Sequence, residues 1–68
     1  MNEETFNMSI RRFLKIVGVR SQAEIERAVA KAIADGKLKG NEACPARMQL
    51  TIDKVDLNLI LEGEIKLE

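Results

Sequence analysis

Apolar residues recur at helical spacing over the first part of the chain. A single stripe runs along residues 3–17 and consists of Phe6, Ile10, Phe13, Leu14 and Val17, which repeat close to every 3.6 residues. Asn2 is a suitable N-cap, and Glu3 and Glu4 lie in the first turn, where the helix dipole favours anions. Gly18 follows the stripe and can adopt the left-handed conformation that ends a helix. The pattern predicts a helix over residues 3–17.

A second helix is predicted over residues 22–35. Ser21 and Glu24 have the spacing of a capping box, in which each side chain accepts a hydrogen bond from the other residue's backbone N–H. The apolar face that follows consists of Ile25, Ala28, Val29, Ala32 and Ile33. Gly36 is expected to end this helix. Two short helices joined by a tight turn at Gly18–Ser21 have the outline of a helix-turn-helix.

The spacing at which apolar residues recur changes from about 3.6 residues to 2 residues in the last third of the chain. Strands are predicted over residues 46–53 and 57–67, joined by the turn sequence "DKVD", because apolar and polar residues alternate on both sides of it. The inward positions are Met48, Leu50, Ile52, Leu57, Leu59, Leu61, Ile65 and Leu67. Gly63 also takes an inward position, where it would permit a bulge or a close approach by a helix. Pro45 favours an extended conformation at the entry to the hairpin.

The order of elements predicts one small α+β domain over residues 1–68. In this α-α-β-β arrangement, two antiparallel helices pack on a C-terminal antiparallel β-hairpin, because an isolated two-stranded sheet is marginal in water. A chain of 68 residues usually needs an additional source of stability, such as a disulfide, a metal or a partner chain. One cysteine, Cys44, cannot form an intrachain disulfide, and without histidine a zinc site is not expected. Self-association is therefore the expected source of additional stability. A four-stranded sheet across a homodimer would also pair an exposed strand edge.

The residue types present argue against an enzyme. Histidine is absent, no glycine-rich phosphate loop occurs, and the carboxylates of Glu62 and Glu64 are expected on a solvent-facing strand surface, where they make poor acid–base catalysts. No catalytic residue, cofactor-binding residue or metal ligand is therefore predicted. Cys44 has no adjacent basic residue and no second cysteine, so we expect it to be unreactive.

Localisation is expected to be cytoplasmic. The first residues, MNEETF, are acidic rather than basic, which argues against a signal peptide. No apolar run approaches the roughly 20 residues that a membrane span requires. A single unpaired cysteine suits a reducing compartment.

Three apolar residues are left over once each predicted element has filled its core face. They are Met8, Ile16 and Ile60. Because clustered exposed apolar residues mark interfaces, the favoured hypothesis is a non-enzymatic interaction module that binds a second copy of itself, another protein, or both.

The alternative hypothesis is a small DNA-binding regulator of the helix-turn-helix or winged-helix type. Phosphate contacts would come from Arg11, Arg12 and Lys15, and base contacts from Arg20 and Gln22, at the start of the second predicted helix. A net charge of zero and a pI near 6.3 argue against this alternative, because such domains are usually basic.

Four segments of the chain resemble a known group of proteins. The segments "MNEETFNMSIRRFLKIVGV", "SQAEIERAV", "GKLKG" and "LEGEIKLE" are similar to those of a family of very short bacterial proteins known only as a domain of unknown function. The resemblance spans nearly the whole chain and rests on cap and core positions. It implies a small stand-alone bacterial protein without an assigned activity, and it carries over no functional residues.

Overall fold

A computed structural model describes all 68 residues and shows an α+β chain with one helix and one hairpin. The elements are helix α1 (Glu3–Ala34), strand β1 (Ala43–Ile52), a 3₁₀ turn (Asp53–Val55) and strand β2 (Leu57–Lys66). The chain divides into two compact units, Met1–Lys37 and Leu38–Glu68, and each is described by itself. The prediction of an α+β fold with a C-terminal hairpin is confirmed, whereas the prediction of two helices is wrong.

The two predicted helices are one continuous helix through Gly18 and Ser21. Ending a helix and starting another leaves up to four carbonyl and four N–H groups without intrahelical partners. Keeping a glycine within a helix costs only about 1 kcal/mol relative to alanine. Glu24 does not act in a capping box with Ser21; its Oε1 lies 2.7 Å from Nη1 of Arg27 in an exposed ion pair.

A rotation of the apolar stripe explains why the sequence suggests a break. At 100° per residue, the stripe of residues 6–17 and the apolar set of residues 25–33 are displaced by about 85° around the axis of α1. Each half of the helix therefore has its own apolar face. A change of face within a continuous helix and a turn between two helices produce the same interruption in the sequence pattern.

Both ends of α1 form as predicted. Asn2 is the N-cap, and its side-chain oxygen accepts a hydrogen bond from the Thr5 N–H at 3.1 Å. At the other end, Gly36 adopts a φ of +78°. The N–H of Gly36 donates to the Ile33 carbonyl at 3.1 Å, and the N–H of Lys37 donates to the Ala32 carbonyl at 2.8 Å. This pair of bonds is a Schellman motif, which satisfies carbonyls that the helix leaves free.

The hairpin keeps one register along its whole length, from Ala43 opposite Lys66 to Ile52 opposite Leu57. The four-residue loop between the strands ends at Asp56, which has a φ of +52° and donates its N–H to the Asp53 carbonyl at 3.2 Å. Aspartate tolerates this left-handed conformation. The predicted turn is thus confirmed, and β1 begins earlier than the predicted residue 46.

One face of the hairpin is entirely apolar, as the alternation predicts. Its ten residues form five cross-strand pairs: Cys44–Ile65, Ala46–Gly63, Met48–Leu61, Leu50–Leu59 and Ile52–Leu57. We call these ten residues the hairpin apolar face. Gly63 lies directly opposite Ala46 in an uninterrupted register, so it forms no bulge, and a Cβ added there would meet no atom within 4 Å.

No side chain of the chain is buried. Seventeen large apolar residues are exposed, including both phenylalanines, Phe6 and Phe13. A lone helix and a two-stranded hairpin each present an apolar face that needs a covering layer. The prediction that residues 1–68 form a single domain is not tested by these observations and stays a prediction.

Replacing Gly18 with alanine tests the continuity of α1. We expect Gly18→Ala to stabilise the chain by about 0.5–1 kcal/mol, because alanine is the better residue within a helix and an added Cβ meets nothing within 4 Å. Urea unfolding followed by circular dichroism at a fixed protein concentration measures the change.

Gly36→Ala is the matched control, since its positive φ should make alanine destabilising by about 1–2 kcal/mol. A Gly18→Ala variant that is destabilised like Gly36→Ala would mean that Gly18 ends a helix after all.

Candidate interaction surfaces

Met8 lies opposite the apolar stripe of residues 6–17 on α1, and Ile16 lies to one side of that stripe, about 80° from Met8 around the helix axis. Their side chains are 61% and 53% exposed. Continuity of the helix adds Val19, which is 62% exposed and lies within about 20° of Met8 around the axis. We call Met8, Ile16 and Val19 the Met8 face. Val19 was not predicted as part of this surface, because the sequence pattern places it in a turn.

Ile60 lies at the middle of β2, on the hairpin face opposite the hairpin apolar face. It is 53% exposed, and its cross-strand neighbour is Gln49. The Gln49 side-chain amide donates to the Asn58 side-chain oxygen at 3.0 Å, so polar groups flank Ile60. Because Ile60 and the Met8 face belong to different units, they are two candidate surfaces.

The proposed DNA-contacting residues do not form a recognition helix. Arg20 and Gln22 lie within α1 rather than at its start, and they point about 160° apart around its axis. Both therefore cannot face the same base edges, and the helix-turn-helix geometry is wrong. Arg11 and Lys15 share one side of α1 with Gln22, within an arc of about 40°. Phosphate contact through Arg11, Lys15 and the neighbouring Arg12 stays a prediction.

The hairpin apolar face is the largest apolar surface of the second unit. The exposed large side chains on it are Met48, Ile52, Leu57, Leu59 and Leu61. Cys44 lies at one end of this face as a half-buried free thiol, and its lack of reactivity stays a prediction. Beside it, Ala46 and Gly63 take part in a shallow depression that is also lined by Pro45, Arg47 and Glu62.

Glu42 organises the connection that leads into β1. Its carboxylate accepts hydrogen bonds from the backbone N–H groups of Lys39 at 2.8 Å, Gly40 at 3.0 Å and Asn41 at 3.2 Å. These bonds, from Lys39 first and Gly40 next, hold the pKa of Glu42 below its usual value. Gly40 has a φ of +108°, which only glycine adopts readily. This role was not predicted, because the partners of Glu42 are backbone N–H groups, which no side-chain pattern marks.

Metal ligation and membrane crossing find no support in the geometry. No three His, Cys, Asp or Glu side chains are grouped so that they could hold a metal ion. No helix combines the length and the apolar character that crossing a membrane would require. The absence of a cofactor and of enzymatic activity stay predictions.

Comparison with known proteins identifies a family. The model of a family of unknown function, DUF6494, matches residues 1–68, so the chain belongs to this family, and the expected resemblance to an uncharacterised family of short proteins is confirmed. No curated protein matches the chain, and no solved structure matches it.

Removing the charge of Glu42 should weaken the chain at neutral pH. Because the folded-state pKa of Glu42 is lowered, its stabilising effect is complete above the unfolded-state pKa of about 4.3 and is lost as the pH falls through the folded-state value. We expect Glu42→Gln to be less stable than the parent at pH 7, and the difference to vanish in acid. Urea unfolding between pH 7 and pH 2 measures this.

Glu64→Gln is the control, since Glu64 lies on the polar side of β2 and accepts none of these bonds. An equal loss of stability in both variants at pH 7 would contradict the role assigned to Glu42.

Proposed function

We propose that this member of the family is a non-enzymatic protein-interaction module that works as an assembly of chains, of which a homodimer is the simplest. The observation that carries the proposal is the exposed apolar surface on both units. Neither α1 nor the hairpin buries a single side chain. An assembly with a second polypeptide would cover those surfaces.

The size of the hairpin apolar face supports this proposal. Two strands of ten residues each span an area of about 300 Å², given the rise per residue and the spacing between strands. The largest apolar patch on a typical monomer is itself about 300–600 Å² and often has a binding function, so this face has the size of a functional patch. Burying apolar surface contributes about 25 cal/mol per Å². Covering this face would therefore provide a large share of the free energy that stabilises the folded state of so short a chain.

DNA binding has weaker support than protein interaction. The helix-turn-helix geometry that suggested it is absent from α1, and the net charge is zero. The free thiol of Cys44 supports an assembly in a reducing compartment such as the bacterial cytoplasm.

The molar mass in solution tests the assembly. Static light scattering of the untagged chain at low salt should give at least twice the chain mass of 7.6 kDa, and the mass should not change when mixed-sequence duplex DNA is added. A single-chain mass with cooperative unfolding would contradict the proposal. Co-elution with DNA that is lost as salt rises would instead support the phosphate contacts of Arg11, Arg12 and Lys15.

A double substitution tests the Met8 face as a binding surface for another protein. Met8→Gln with Ile16→Gln should abolish capture of a protein partner by the immobilised chain and leave the circular dichroism spectrum unchanged, because both side chains are exposed. Asn7→Gln with Arg11→Gln, two exposed polar positions on another side of α1, is the matched control. If the Met8/Ile16 variant still captures the partner protein, the Met8 face is not the surface that binds it.

A further inference from the structure

The two strands of the hairpin each have an outer edge, and the register shows which backbone groups lie on it. The N–H of Leu67 donates to the carbonyl of Glu42 at 2.9 Å, so this pair is a hydrogen-bonded one. Hydrogen-bonded and non-hydrogen-bonded pairs alternate along an antiparallel ladder. The outward-pointing groups therefore belong to residues 43, 45, 47, 49 and 51 of β1, and to residues 58, 60, 62, 64 and 66 of β2.

Proline makes the outer edge of β1 the poorer one for pairing. Pro45 occupies an outward position and has no N–H to donate, which is how proline is tolerated at a sheet edge. The usable edge of β1 shortens to Arg47–Thr51. All five outward residues of β2 carry an N–H, and no backbone bond occupies them, since the sheet has only two strands. The open edge of the hairpin is β2.

Charge restricts the register in which two copies of β2 can pair. The outward residues of β2 are Asn58, Ile60, Glu62, Glu64 and Lys66, and like charges directly opposite each other are destabilising. A twofold axis at Glu62 or Glu64 would set that residue against its own copy, and an axis at Gly63 would set Glu62 against Glu64. An axis at Leu61 brings no like charges together, but it sets Ile60 against Glu62. An axis at Ile60 sets isoleucine against isoleucine and Glu62 against Asn58. Glu64 then falls opposite Asp56, which lies in the turn before β2, so the paired segment is limited to residues 57–63.

We propose that a second copy of this chain pairs antiparallel along β2 about a twofold axis at Ile60, forming a four-stranded sheet in the order β1-β2-β2-β1. This inference rests on the proposed function and names the partner and its register. Residues directly opposite each other point to the same face of a sheet, so the two hairpin apolar faces join into one. Leu59 then lies opposite Leu61 of the partner subunit. Ile60 is thus apolar because it meets its own copy.

Disulfide cross-linking tests the register. In the Cys44→Ser background, Ile60→Cys would place two thiols on Cα atoms about 5.5 Å apart, within the range of about 4.4–6.8 Å that a disulfide spans. Glu62→Cys would place its two thiols about 13 Å apart, four residues along the strand. Gln49→Cys, directly across the hairpin from Ile60, would lie about 14 Å from its copy, three strand spacings away.

Mild oxidation should give a cross-linked dimer of Ile60→Cys on a non-reducing gel, lost on reduction, and none for Glu62→Cys or Gln49→Cys. Preferential cross-linking of either control would overturn the register. If light scattering shows an assembly but none of the three variants cross-links, pairing along β2 is wrong. The proposed function as an interaction module is then unaffected. A single-chain mass by light scattering would reject the proposed function as well.

As a second variant, Ile60→Lys should lose the dimer mass, because two lysines would meet at the axis, whereas Gln49→Lys should keep it. An Ile60→Lys variant that is folded and still dimeric would contradict the inference independently of cross-linking.

Discussion

The structure depends on one constraint: a two-stranded hairpin with a fully apolar face cannot cover that face by itself. The register places all ten residues of the hairpin apolar face on one side, and their large side chains stay exposed. A sheet with so few strands has marginal stability in water. Helix α1 meets the same constraint, because a helix 32 residues long has no way to bury its own stripe. In the proposed assembly, the free energy that holds each unit together comes largely from apolar surfaces that a second chain covers.

Against that background, local interactions define where each element begins and ends. Asn2 caps the start of α1, the Gly36 motif closes its end, and the Glu42 carboxylate gathers three backbone N–H groups before β1. An N-cap such as Asn2 contributes about 1 kcal/mol in typical proteins. These local interactions specify the boundaries, whereas burial of the apolar faces provides the main driving force for folding.

Alternation and cap residues predict most of the local structure. The hairpin, its turn, the Asn2 cap and the Gly36 end are all encoded by nearby residues, and they form as expected. The break at Gly18 was wrong because a rotation of the apolar stripe and a turn leave the same pattern, and only the cost of eight unpaired backbone groups distinguishes them. Met8, Ile16 and Ile60 could be singled out as surplus apolar residues. Val19 could not, since its side of the helix depends on continuity through Gly18, and Glu42 could not, since its partners are backbone groups.

In the proposed assembly, folding of this chain is coupled to association with a second chain. The most direct test is the concentration dependence of its thermal unfolding midpoint, followed by circular dichroism over about a hundredfold range of protein concentration. If the apolar faces are covered in an assembly, the midpoint rises steadily with concentration, because binding stabilises only the folded state. A sharp transition at the same temperature throughout that range would show that a single chain folds alone and would contradict the coupling of folding to association.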